Sequence, residues 1–238
     1  MSGLRDVWVY LSASPLLHLT MTLVAFQAAS WIYEKANKNP LLNPVLLSVI
    51  AVVIMLVLSG TAYEDYFEGA QFVHFLLGPA TVALAIPLYR QFDKVRASAL
   101  AVLSSILAGS LTAILTALAI GSLLGASSDT LLSLAPKSVT APVAMGISEQ
   151  LGGLPSLTAV LVILTGITGA VLGPVVLNII GVKDWAARGL AMGTASHGIA
   201  TARALQVNEV AGAFAGLAMG LNALATAILL PLIWNWLF

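Results

Sequence analysis

Leu134-Ala-Pro-Lys-Ser-Val-Thr-Ala-Pro-Val-Ala-Met145 is the stretch on which the reading of this chain turns. Two prolines, Pro136 and Pro142, bracket one cation, Lys137, and two hydroxyls, Ser138 and Thr140. Lipid offers no partner to a broken backbone or to an ammonium group, so such a segment must face protein or water. The expectation is a broken helix beside a polar pathway.

The sequence around it is of membrane grade. Hydrophobic residues make up 59 % of the 238, and only 8 % are charged; mean hydropathy is +0.99. A soluble domain carries roughly 25 % charged residues to cover its surface, so this composition places the chain in the bilayer. Net charge is zero, and the few basic residues fall between apolar segments, so nucleic acid is not an expected partner. Cysteine is absent, which excludes disulfides, thiolate metal sites and a cysteine nucleophile. No cofactor is expected. The first apolar run, 7–32, ends in Glu34-Lys35 rather than in a small-residue cleavage site, and it reads as a retained span.

Six segments are long enough to cross at about 20 residues each: 7–32, 41–61, 71–89, 97–125, 156–181 and 210–238. Two others, 131–147 and 189–205, are shorter or broken by polar residues. The fold class is therefore an all-α polytopic membrane protein of about six full transmembrane helices plus two broken or re-entrant segments. The runs are continuous rather than alternating, which argues against a β-barrel. Lys35 and Lys38 share one loop and Arg90, Lys94 and Arg96 another, with Glu64, Asp65 and Glu68 between them. The positive-inside rule puts both basic loops in the cytoplasm. Lys183 and Arg188 join them only if 131–155 enters and returns, and Gly152, Gly153 and Pro155 suit such a turn.

A shift of 57 residues aligns Gly78-Pro79-Ala80-Thr81-Val82 with Ala135-Pro136-Lys137-Ser138-Val139, and Gly109 with Gly166. Transporters are often built from such weak repeats, with the site where corresponding broken helices meet. Whether these copies are parallel or inverted stays open. Gly166, Gly169 and Gly173 form one row of small residues, and Gly212, Gly216 and Gly220 another. Both read first as close helix packing inside one bundle and second as a homodimer seam.

Two constellations can bind. A short helix starting at Pro136 or Lys137 leaves its first amides free beside Ser138 and Thr140, an anion site with Lys137 as the counter-charge. Pro142 removes the hydrogen bond that the Ser138 carbonyl would accept. The competing reading is a lysine that snorkels from a segment end. The second is Gly193-Thr-Ala-Ser-His-Gly-Ile-Ala-Thr-Ala-Arg203. On one continuous helix His197 and Thr201 share a face with Thr194, and Ser196 and Arg203 line the neighbouring stripe. Inserting arginine there costs on the order of 2.5–3.5 kcal/mol, which calls for an inward use. His197 is the candidate for proton coupling, with a structural imidazole as the alternative. The divergence of adjacent side chains and the lack of an orienting carboxylate and of a glycine-elbow motif argue against a hydrolase built on Ser196 and His197. Pro79, Pro136, Pro142, Gly193 and Gly198 are the expected helix breaks. Thr81 is the repeat partner of Ser138, and Asn43-Pro44 suits a helix start. His18 and His74 read as structural, while Glu149 and Glu209 are either proton relays or solvated loop residues.

At these residues the chain strongly resembles the LrgB/CidB family, which includes the plant plastid glycolate/glycerate translocator. The resemblance covers essentially the whole chain. It rests on Pro-Leu-Leu-Asn-Pro at 40–44, Pro79 followed by Ala-Ile-Pro-Leu-Tyr at 85–89, Pro-Lys-Ser-Val-Thr-Ala-Pro at 136–142, and Ala-Arg-Gly-Leu-Ala-Met-Gly-Thr-Ala-Ser-His at 187–197. It implies a multi-pass protein of the bacterial cytoplasmic membrane beside a smaller LrgA/CidA-type partner. Two functions attach to the family: modulation of murein hydrolase export and autolysis, and transport of small carboxylates such as glycolate, glycerate or pyruvate.

The residues favour transport over autolysis modulation, which needs only a pore or a partner surface, and no enzymatic activity is expected. Lys137, Ser138, Thr140, Ser196, His197, Thr201, Arg203 and Thr81 are expected to line the carboxylate site. One transmembrane domain is expected over 1–238, with a scaffold of about 1–70 and 210–238 around a core of about 71–209.

Overall fold

The computed structural model describes residues 15–36, 39, 42–76, 79, 82–83 and 85–237, and every described element is a helix or the turn between helices. Two compact units divide the chain, 1–83 and 84–238.

In the first unit, α1 (Pro15–Lys35) packs against each of α2 (Pro44–Ser59) and α3 (Tyr63–Phe75). Asn43-Pro44 starts a helix as its chemistry requires. Asn43 Oδ1 accepts from the amides of Val45 at 2.9 Å and Leu46 at 3.3 Å, while Pro44 occupies the first turn. Gly60 closes the same helix at φ 68°, a conformation open to glycine without steric penalty. His18 is buried edge-on against Tyr66, and Thr22 and Tyr66 share a hydrogen bond of 2.8 Å. That is the structural role the sequence suggested for His18.

The second unit holds α4 (Ala85–Arg90), α5 (Phe92–Ala97), α6 (Ala99–Leu123), α7 (Ser128–Leu134) and α8 (Ala141–Leu151). It continues through α9 (Pro155–Ile179), α10 (Trp185–Val207) and α11 (Glu209–Leu237). The last helix, which the sequence reading grouped with the first two spans, makes its densest packing here, against α10.

Among the described residues, four helices are long and apolar enough to cross a membrane: α1, α6, α9 and α11. The candidate span at 71–89 is not one helix among the described residues, because α3 ends at Phe75 and α4 begins at Ala85. Leu76 is a turn that closes α3, while Pro79, Val82 and Ala83 in the interval are helical. Thr81, Gly78 and Ala80 lie outside the described residues, as does Lys38.

Neither short helix after α6 is long enough to cross by itself. The 7 residues of α7 and the 11 of α8 reach only about 10 and 16 Å, against roughly 30 Å of hydrocarbon. The chain closes on itself instead, with the amide of Leu154 donating to Ser133 Oγ at 2.8 Å. Gly152 ends α8 at φ 91°. A Cβ on Gly153 would come within 3.1 Å of the Leu132 carbonyl carbon. The glycine pair thus lets the returning strand of chain lie flat on the entering one.

Polarity runs inside-out relative to a soluble protein. Leu100, Leu123, Leu124, Val160, Leu164 and Ile179 are exposed, whereas Ser110, Ser133, Ser148, Thr158, Asn222 and Thr226 are buried. Water would reject that arrangement, but lipid favours it, since apolar surface needs no cover and polar groups find partners only in the bundle. The protein is a multi-pass membrane protein.

Candidate functional site

The backbone of α10 breaks at its middle. Ser196 lies at φ −145°, ψ 27° and His197 at φ 42°, ψ −138°. The interruption falls between Gly193 and Gly198, on the serine and histidine themselves. This undoes the single-helix geometry read from the sequence, in which Ser196 and Arg203 shared a stripe. Within the second half-helix one i, i+4 relation survives: Thr201 Oγ1 donates to the His197 carbonyl at 2.7 Å.

Glycines on α9 receive the break. A Cβ on Gly166 would approach His197 Cε1 to 2.7 Å, and one on Gly169 would overlap Ser196 Oγ. Gly109 of α6 does the same for Thr194, whose Cγ2 stands 2.9 Å from where its Cβ would be. Gly109 and Gly166, matched by the 57-residue shift, therefore receive the two flanks of one interruption. Gly193 serves packing as well: a Cβ there would meet the Ala215 carbonyl of α11. Gly198 has only ordinary contact, with Met219 Sδ at 3.7 Å. The glycine row 166–169–173 is thus an internal packing seam.

The second interruption is the tip between α7 and α8. The short helix begins at Ala141, not at Pro136 or Lys137. Pro142 withholds the amide that would extend a helix begun at Pro136, so the chain starts afresh where proline sits in the first turn. Residues ahead of it form tight turns, with Lys137 N–H donating to Leu134 O at 3.1 Å and Val139 N–H to Pro136 O at 3.2 Å. Thr140 is the N-cap residue, but its side chain caps no amide.

Lys137 points from this tip into the bundle. One cavity of about 560 Å³ is lined by Lys137 and Ser138 with Gly109, Thr112 and Ala113 of α6 and Ala191 and Thr194 of α10. Another, of about 400 Å³, is lined by Lys137 with Thr165, Thr168 and Gly169 of α9 and Ser196 of α10. Gly109 is ten residues into α6, Thr165 ten into α9 and Thr194 nine into α10. At 1.5 Å per residue these positions lie about 14–15 Å from the helix starts, half-way along each. Lys137 therefore lines cavities beside the middle of these helices rather than at their ends. Ser138 Oγ lies 3.5 Å from Lys137 Nζ.

The other candidates are distributed around this centre. His197 is buried, and its Nε2–H donates to the Val162 carbonyl at 2.9 Å. Thr201 is buried behind it. Thr140, His197, Thr201 and Arg203 are not among the residues lining either cavity. Arg203 is seven residues past Ser196 on the second half-helix, about 10 Å further along. Glu209 is exposed and pairs with Arg90 at 3.5 Å, an exposed contact worth little; Glu149 is exposed too. Both sit as solvated residues. Sequence reasoning missed Asn222 of α11, which is fully buried and donates from Nδ2 to the carbonyls of Thr194 and Ser138. Of the two asparagines in this long apolar helix, Asn222 and Asn235, the one at mid-helix was the available signal.

In the first unit, a cavity of about 450 Å³ is lined mainly by Leu23, Phe26, Val52, Val53, Leu56 and Val73. Among the described residues no charged side chain lines it, and its polar groups are the hydroxyls of Thr22, Ser48, Tyr63 and Tyr66.

Comparison with known proteins meets this geometry at the same segments. The LrgB-like family model matches residues 22–236, which include both interruptions and the glycine seam. The chain belongs to the LrgB-like family. It is 35 % identical over 224 residues to the holin-like protein CidB of Staphylococcus epidermidis, covering 94 % of this chain and 96 % of that one. It is 31 % identical to the holin-like protein CidB of Staphylococcus aureus, over 92 % of this chain and 95 % of the relative. An uncharacterized protein of Bacillus subtilis, YxaC, is 36 % identical over 92 % and 95 % of the two chains. No solved structure matches.

Proposed function

We propose that this LrgB-like protein is a secondary carrier of small monocarboxylates, of the size of glycolate, glycerate or pyruvate, in the bacterial cytoplasmic membrane. The observation that supports it is Lys137: an ammonium level with the middle of α6, α9 and α10, lining two cavities beside the hydroxyls of Ser138, Thr194 and Ser196. A buried cation is expensive unless it has an anionic partner. No acidic residue lines either cavity. A two- or three-carbon carboxylate supplies the charge, and its hydroxyl or keto oxygen has hydroxyl partners nearby. The first amides of α8 at the tip and of the second half of α10 add positive dipole ends. The repeat expected from the sequence is supported by Gly109 and Gly166, and by the equal 25-residue lengths of α6 and α9. In this reading the two interruptions form the moving core. His197, held to Val162 through Nε2–H, supports the break, and its other ring nitrogen, Nδ1, is the one that takes up a proton while that bond is kept.

A second reading is favoured by the relatives' names. Two of them are called holin-like, and the same polar centre then belongs to a membrane regulator of murein hydrolase export that acts with an LrgA/CidA-type partner. Purified protein in liposomes separates the two. Saturable glycolate or pyruvate flux without a partner is the carrier result. Leak of unrelated solutes of similar size, or flux only after the partner is added, is the holin-type result.

A further inference from the structure

Two backbone carbonyls are orphaned by the two interruptions. Pro142 has no amide hydrogen, so the carbonyl of Ser138, four residues earlier, has no helical donor. The non-helical backbone at Ser196 and His197 likewise breaks the ladder that would pair the Thr194 carbonyl with the amide of residue 198. Both residues are buried, and a buried carbonyl without a donor destabilises the fold.

Asn222 answers both. Its side chain is 0 % exposed, and Nδ2 donates to Thr194 O at 3.0 Å and to Ser138 O at 3.4 Å. Carbonyls only accept, so the amide must present its NH₂ to them, and an NH₂ has two hydrogens. Both are used. Oδ1 is left buried with no hydrogen-bond partner, so the residue is placed for its donors at the expense of its acceptor.

We propose that Asn222 is the positioning residue of the Lys137 site: one amide ties the α7–α8 tip to the broken middle of α10. The proposal rests on reading the Lys137 cavities as an anion site. The tip carries Lys137 and Ser138, and the first half of α10 carries Thr194 beside Ser196 at the break. Their separation sets the size of the anion that fits between them. While Asn222 holds both carbonyls, the two segments keep one register. Relative movement of either one requires a hydrogen bond to Asn222 to break.

Amide hydrogen exchange on the full-length protein in detergent or nanodiscs tests the tie without reference to transport. Asn222→Leu is expected to raise exchange about tenfold in 134–141 and in 192–199, and to leave α1–α3 unchanged. The second variant is Asn222→Asp, which keeps the shape and removes the donors when ionised; it is used if the leucine variant does not fold. A residue that merely fills space would not show a paired rise confined to these two segments. Unchanged exchange in both segments, or a uniform rise along all helices, overturns the tie. Glycolate supplies the second readout: the concentration giving half-maximal thermal stabilisation should rise about tenfold in Asn222→Leu. If glycolate and pyruvate stabilise no protein, wild type included, the anion reading falls, and the exchange pattern still decides the tie.

Discussion

His197 donates its Nε2–H to the carbonyl of Val162 at 2.9 Å across the α9–α10 seam, while its own backbone stands at φ 42°, ψ −138°. The bond to a carbonyl fixes a proton on Nε2, so the ring is anchored as a donor. The backbone angle lies in a region that a side chain with a Cβ adopts only under strain of about 1–3 kcal/mol. Side-chain bonding and backbone strain are thus combined in one residue at the break of α10.

This sets an order among substitutions at the position. His197→Ala loses the bond to Val162 and keeps the strained backbone. His197→Gly loses the same bond but relieves the strain, so it should be the more stable of the two by roughly 1 kcal/mol after glycine's entropic penalty. Thermal unfolding in one detergent checks the ranking; an alanine variant at least as stable as the glycine variant contradicts it.

The glycine seam predicts a graded response along one helix face. Gly169→Ala drives a methyl into Ser196 Oγ, and Gly166→Ala brings one to 2.7 Å from His197 Cε1. Each should lower stability by about 1–3 kcal/mol. Gly173→Ala meets Met192 Cγ at an ordinary 3.7 Å and should change stability little. The comparison is internal to α9, so equal effects at all three positions would refute the seam.

The hairpin makes a separate claim about Ser133, whose Oγ accepts from the Leu154 amide. Ser133→Ala leaves that amide without its partner and should cost about 1–3 kcal/mol. Hydrogen exchange should quicken around 152–155, where the returning segment meets the entering one. No change there would mean that the closure does not depend on this bond.

Much of this architecture is legible in the sequence. The proline pair at 136 and 142 announces an interruption because an imino acid cannot donate, and Pro142 alone accounts for the helix restarting at Ala141. The small-residue row at 166, 169 and 173 announces a close helix contact. The location of the second break was less readable. Gly193 and Gly198 were the natural suspects, yet the backbone turns on Ser196 and His197, because Gly193 is consumed by the approach of Ala215 and the seam on α9 leaves room for a turn instead. Arg203 and Lys137 looked equivalent as intramembrane cations. Only three-dimensional placement shows that Lys137 alone lines the cavities, since a broken helix loses the periodicity by which side chains are assigned to a face. Asn222 was silent for a related reason: its purpose is defined by two carbonyls 84 and 28 residues away.

Lys137 itself carries the functional prediction. Lys137→Met keeps the length of the stem and removes the charge, so folding and insertion should be unaffected or improved, because no desolvation penalty remains. Saturable carboxylate flux in liposomes should fall at least about a hundredfold, the scale of losing one buried charge-assisted contact. Flux equal to wild type would remove Lys137 from the path.

The most direct test uses the absence of native cysteine. An Ala191→Cys variant places a single thiol on the wall of the Lys137 cavity with the lysine left intact, and a small, membrane-impermeant, negatively charged thiosulfonate reagent reports whether water and anions reach that depth. The account predicts modification of the folded protein, slowed by added glycolate or pyruvate but not by a neutral polyol of the same size. A thiol that stays unmodified until the protein is denatured, or one whose rate ignores the carboxylates, would contradict it.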